Sequence, residues 1–168
     1  MRNQILIKSI ILIFTIYFLS GCNNKDIKPK IIKITPEKYL ALQSKIDKKT
    51  IIHFWSSYCH PCIKDFPQLT RIAKEKNINI INISSDKSDS KLQDNLERVM
   101  NTLNVTESYI IDFNNLYPDG TNHMDVLGQF AKKINLKDYN NPLYIVIDAN
   151  AQTLFSTYNI KELEEKLQ

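Results

Sequence analysis

Cys59 and Cys62, separated by His60 and Pro61, are the residues of this chain best suited to chemistry. Two cysteines three positions apart on the first turn of a helix can close a disulfide. The flanking sequence supports that placement. Residues 51–55 (IIHFW) are β-branched and aromatic and read as a buried strand, 56–59 as a loop, and 60–76 as a helix. Unpaired N–H groups and the dipole at a helix start favour an anion, so Cys59 is expected to titrate below a free thiol and to be the attacking sulfur. Cys62, one turn further in, is expected to be more buried and to resolve a mixed disulfide with a substrate. An imidazolium at His60 would stabilise the Cys59 thiolate, whereas a solvent-facing His60 would contribute little. Trp55 and Tyr58 flank the pair and read as an apolar rim for a peptide substrate, with plain packing the alternative for Trp55.

The elements that must position these residues alternate. Lys30–Ile34 reads as a strand. Thr35-Pro36-Glu37 reads as a helix start, with an N-cap, a proline at the first position and an acid in the first turn, the helix running to about residue 46. Beyond the 60–76 helix, strands are expected at 78–83 and 109–112, with a helix between them over 91–103 that sets Leu92, Leu96, Val99 and Leu103 on one face. Residues 117–120 (YPDG) read as a turn, and a helix is expected over 124–134. Strands at 143–147 and 153–156, joined by a turn at 148–151, precede a last helix at 160–167. Strand–helix–strand units closed by a hairpin and a helix predict an α/β fold, one mixed β-sheet flanked by helices.

Composition agrees with one globular domain: 168 residues, 43% apolar and 24% charged. Three cysteines are too few for a disulfide scaffold or a four-cysteine zinc site, and no metal ligand set is assigned. The net charge is +4, and removing residues 1–21, which hold Arg2 and Lys8, leaves 20 basic against 18 acidic residues, or +2. That balance gives no footprint for nucleic acid.

The N-terminus reads as an address. A basic start is followed by an uncharged stretch at 9–24, which at helical rise reaches about 24 Å, short of the roughly 30 Å hydrocarbon core. The stretch ends in Leu19-Ser20-Gly21-Cys22, which resembles the bacterial lipobox. Residues 1–21 are therefore expected to be a lipoprotein signal peptide, with Cys22 lipidated and residues 22–34 forming a tether and N-terminal strand before a domain at 35–168. A lipidated Cys22 also leaves Cys59 and Cys62 as the remaining pair. The readings left beside this one are an uncleaved signal anchor and plain secretion.

Residues 54–62 (FWSSYCHPC) resemble the active-site signature of the thioredoxin superfamily. Pro67 matches that family's proline in the active-site helix, and Asn141-Pro142 followed by LYIVID resembles its cis-proline loop and the strand after it. The resemblance covers about residues 35–167, and with the signal and lipobox it points to the TlpA/ResA-like branch of exported thiol–disulfide oxidoreductases. It implies a thioredoxin-like three-layer sandwich and a redox-active disulfide, Cys59–Cys62, with no other cofactor. It places Pro142 in cis facing the disulfide, with Asn141 offering its backbone to a substrate strand. It implies protein thiols and disulfides as substrates and a DsbD- or CcdA-like membrane thiol relay as electron donor. Pro61 matches the reducing relatives, so the reductase direction is favoured and cytochrome c maturation is one destination. His53 stands where many relatives carry a buried acid; it either handles the proton of Cys62 or packs as a core histidine.

Other classes fit less of the chain. A Cu(I) carrier would use Cys59, Cys62 and His123, but carriers on this fold typically have a CxxxC pair. A peroxidase usually has Thr where Ser56 stands. A non-catalytic peptide-binding lipoprotein would keep the disulfide as a structural bond.

Overall fold

The computed structural model describes residues 28–86, 90–116, 125–137 and 139–168, without the side chains of residues 90–92 and 115. Cys22 and the leader, the turn at 117–120, His123 and the Leu92 side chain lie outside the described residues. The elements run β1 Lys30–Ile34, α1 Pro36–Gln43, β2 Thr50–Trp55, α2 His60–Lys76, β3 Asn79–Ser84, α3 Ser90–Thr102, β4 Glu107–Ile111, α4 Phe113–Leu116, α5 Val126–Lys133, β5 Leu143–Ile147, β6 Thr153–Thr157 and α6 Ile160–Lys166. Among these residues no helix is long and apolar enough to cross a membrane.

The strands form one sheet in the order β1-β4-β3-β2-β5-β6. The β1, β4, β3 and β2 strands are mutually parallel; β5 runs antiparallel to β2, and β6 antiparallel to β5. Alternation along β2 divides the core between the two faces of the sheet. Ile52 and Phe54 join Ile34, Tyr39, Phe130 and Leu143 under α1 and α5. Ile51 packs with Leu69, Tyr144 and Leu163, and Trp55 with Cys62, Phe66, Leu96 and Met100, under α2, α3 and α6. Every residue of β2 is buried. The strand that leads to the cysteines is thus covered on both faces and flanked by β3 and β5, which fixes where it ends.

Local signals set the boundaries. Thr35 caps α1, its Oγ1 accepting from the N–H of Lys38 at 3.3 Å. The α1 helix stops at Gln43, three residues before the expected end. The N–H groups of Lys45 and Ile46 bond to carbonyls three residues back, at Leu42 and Gln43, which tightens the chain into a turn. The connection after β4 holds a one-turn helix that periodicity over four residues does not reveal, with Phe113 and Leu116 buried against the α5 layer.

Gly128 in α5 lies close against the Asp125 side chain. A Cβ there would lie 2.0 Å from Oδ1 of Asp125 and 2.6 Å from its Cγ. A side chain at this position fits only if the Asp125 carboxylate swings away, a movement set against the roughly 1 kcal/mol that Ala gains over Gly inside a helix.

Candidate active site

The β2 strand ends at Trp55, and the loop Ser56-Ser57-Tyr58 turns the chain into α2, with the N–H of Cys59 donating to the carbonyl of Ser56 at 3.0 Å. Cys59 is the N-cap residue of α2. Its Sγ accepts from the N–H of Cys62 at 3.2 Å, the place an Asp or Ser oxygen takes in an ordinary cap. The two sulfurs are bonded, with Cα atoms 5.2 Å apart. Cys59 is partly exposed, whereas Cys62 is fully buried beside Trp55 and Phe66. An incoming thiol therefore meets Cys59. On reduction the N–H of Cys62 and the positive end of the helix would face the Cys59 sulfur, an arrangement that favours a thiolate there.

The second half of the site arrives on β5. Phe54 pairs with Leu143, so the end of β2 and the start of β5 lie side by side at one end of the sheet. The bond Asn141–Pro142 there is cis. The loops bearing Cys59 and Pro142 leave the sheet at the same end of these two strands.

The remaining sequence-derived residues divide. Tyr58 is 60% exposed beside Cys59. Trp55 is fully buried, with its Nε1 donating to Ser108 Oγ at 3.2 Å and its ring set edge-on to Phe66 at 4.8 Å. It packs beneath the site and is not part of its rim. The expectation failed because alternation along a strand covered on both faces turns residue 55 inward with residues 51 and 53. The Asn141 side chain is also turned inward, its Nδ2 donating to Ser85 Oγ at 2.6 Å. His60 and Pro61 are exposed on the first turn of α2, and Pro67 lies inside α2 without ending it.

His53 is completely buried. Its ring stacks on Tyr144 at 4.9 Å and meets Phe66 edge-on at 5.0 Å, while its Nδ1 lies 3.1 Å from Asn82 Oδ1. Its Nε2 has no hydrogen-bond partner among the described residues. Burial pushes its pKa down to about 4, outweighing the bond to Asn82. At neutral pH His53 is thus a neutral ring, and it supplies none of the negative charge of a buried acid. A cleft of about 550 Å³ between α2 and the turn before β4 is lined by Phe66, Pro67, Val105 and Asn82, the residue to which His53 bonds.

Sequence reasoning missed the polar residues around the loop. Asp86 is buried just beyond β3. Its carboxylate accepts from Ser56 Oγ at 2.7 Å, from the N–H of Ser57 at 2.8 Å and from Ser84 Oγ at 2.7 Å. Asn95 on α3 donates to Ser57 Oγ at 2.7 Å. Two serines next to a CxxC pair were the available signal, since small hydroxyl residues in a buried turn need acceptors.

Solved structures share this architecture. A secreted disulfide oxidoreductase of Mycobacterium tuberculosis, homologous to E. coli DsbE, superimposes with a TM-score of 0.51 at 14% identity, over 86% of this chain and 97% of that one. A thiol-disulfide oxidoreductase from Bacteroides fragilis does so with a TM-score of 0.51 at 20% identity, over 72% and 80% of the two chains. The fold is a thioredoxin-like α/β sandwich. In sequence the chain is similar to thiol-disulfide oxidoreductase ResA of Bacillus cereus and of Bacillus thuringiensis, each 29% identical over 106 residues. The match covers 52% of this chain, and the chain spans 60% of the length of these curated relatives. No family model matches.

Proposed function

We propose that this chain is a thiol–disulfide oxidoreductase of protein substrates, exported and held to a bacterial membrane through a lipid on Cys22. One observation carries the activity: a disulfide whose outer sulfur caps α2, at the end of the sheet that also bears the Asn141-Pro142 loop. In the reductase direction the thiolate of Cys59 attacks a substrate disulfide. A sulfur–sulfur bond forms to Cys59, and the second substrate sulfur leaves as a thiolate and takes a proton. The thiolate of Cys62 then attacks Cys59, releasing the first substrate sulfur. Two electrons have passed to the substrate and the pair is oxidised. The cysteines store the electrons, so the exchange needs no organic cofactor. A reductase working outside the cytoplasm must be recharged, and a membrane thiol relay of the DsbD or CcdA kind would do so. Trapped disulfides in apo-cytochrome CxxCH motifs, and so cytochrome c maturation, are one destination.

Pro61, which matches the reducing relatives in the resemblance, supports the reductase direction. Equilibration of the full chain with glutathione tests it. A potential near about −270 mV is the expected result, and one near about −120 mV would reverse the direction. The leader 1–21, the Leu19–Cys22 lipobox and the periplasm-facing placement rest on sequence. Labelling with radioactive fatty acid is expected to mark the wild type and to be lost in Cys22→Ala. Labelling that survives the substitution, or is absent from both, would remove the anchor while leaving the redox reading intact.

A further inference from the structure

The segment Ser84-Ser85-Asp86 touches both halves of the site. Asp86 reaches the loop before Cys59 through two bonds, from Ser56 Oγ and from the Ser57 N–H. Ser56 Oγ in turn accepts from the N–H of Tyr58 at 3.2 Å, so the carboxylate is connected to the residue beside Cys59. The hydroxyl of Ser84 donates to Asp86 and accepts from its N–H, which fixes the carboxylate's own position. Ser85 works the other way. Its N–H and hydroxyl both donate to the carbonyl of Trp55, at 2.9 and 3.2 Å, and its hydroxyl accepts from Asn141, the residue before Pro142.

We propose that Ser84-Ser85-Asp86 is a clasp that sets the Cys59 loop and the Pro142 loop in one frame, Asp86 positioning the attacking sulfur and Ser85 positioning the backbone that meets the substrate. The proposal rests on the thiol–disulfide reading above. Its physical basis is that loop residues hold a catalytic geometry only where their neighbours lock them. The bonds of Asp86 to Ser57 and Ser84 are buried, where leaving the donors unpaired is costly, and the bond from Ser56 is partly so. Neither residue touches the sulfurs, so both are positioning residues.

The two arms have different readouts. Asp86→Ala frees the loop, so the Cys59 sulfur is no longer held over the start of α2. Asp86→Asn also removes the charge but keeps the pattern, since its carbonyl in the Oδ2 place can accept from the Ser57 N–H and the Ser84 hydroxyl, and its amide in the Oδ1 place can donate to the Ser56 hydroxyl. In the full chain, Cys59 thiolate absorbance is expected to titrate about one unit higher in Asp86→Ala than in Asp86→Asn, and Ser56→Ala is expected to rise in the same sense against wild type. The equilibrium constant with glutathione should shift about tenfold between the two Asp86 variants, which corresponds to about 30 mV. Ser85→Ala is expected to leave that constant within about twofold of wild type and to raise KM for insulin, used as a protein disulfide probe, by about fivefold.

Equal thiolate titrations in Asp86→Ala and Asp86→Asn would overturn the Asp86 arm. Should Asp86→Ala not fold, a Ser56→Ala variant that titrates like wild type would do the same. An unchanged KM in Ser85→Ala would overturn the Ser85 arm. A wild-type chain that exchanges no electrons with glutathione would instead remove the oxidoreductase reading itself, so the two failures are distinguishable.

Discussion

Cys59→Ser is expected to abolish disulfide exchange, with the rate of insulin reduction falling by about a thousandfold or more, to the uncatalysed background. The reason lies in which sulfur a substrate can reach. Cys62 is fully buried beside Trp55 and Phe66, so it cannot take over the attack when the exposed partner is gone. A serine hydroxyl in place of Cys59 keeps the cap on α2 but is no nucleophile at neutral pH. Cys62→Ser has the opposite signature. Cys59 still attacks, but nothing displaces it from the substrate, so the mixed disulfide accumulates and is visible as a higher-mass band on non-reducing gels. The contrast is the informative part. If both variants behaved alike, with neither trapping substrate, the disulfide would be a structural bond and the non-catalytic reading would stand.

Much of this site was legible because its signals are local. The loop between β2 and α2, the cap at Cys59 and the proline before β5 each depend on neighbours a few residues away. So does the β5–β6 hairpin, where Asp148 Oδ1 accepts from the N–H groups of Asn150 and Gln152 and fixes the turn. What was illegible depends on sheet order. Ser57 and Asp86 lie 29 residues apart in the chain and meet because β2 and β3 are neighbours. Asn95 reaches Ser57 only once α3 is packed on that same face. Trp55 was misplaced for a related reason. Its aromatic type fits a binding rim and a core equally well, and only coverage of both faces of β2 decides between them.

Acidification is expected to destabilise this chain in part through His53. Its pKa is about 4 in the folded state against 6.5 when free. Between those values the unfolded chain binds a proton at this position and the folded chain does not, so stability rises with pH across the window. The contribution is fully present above pH 6.5 and is lost as pH falls through about 4. At pH 4.5 the loss amounts to about 2–3 kcal/mol relative to neutral pH. Urea unfolding of wild type and His53→Gln at pH 7.0 and 4.5 isolates it, because carboxylate titrations common to both cancel. Wild type is expected to lose about 2–3 kcal/mol more than the variant, and equal losses would mean that the ring titrates normally in the fold. The same environment limits the part His53 can play in catalysis. A ring held neutral between Tyr144 and Phe66 is a weaker base than free imidazole. The pH profile of disulfide exchange is therefore expected to show no break near 6.5 from this residue, leaving Cys59 to set its acid limb.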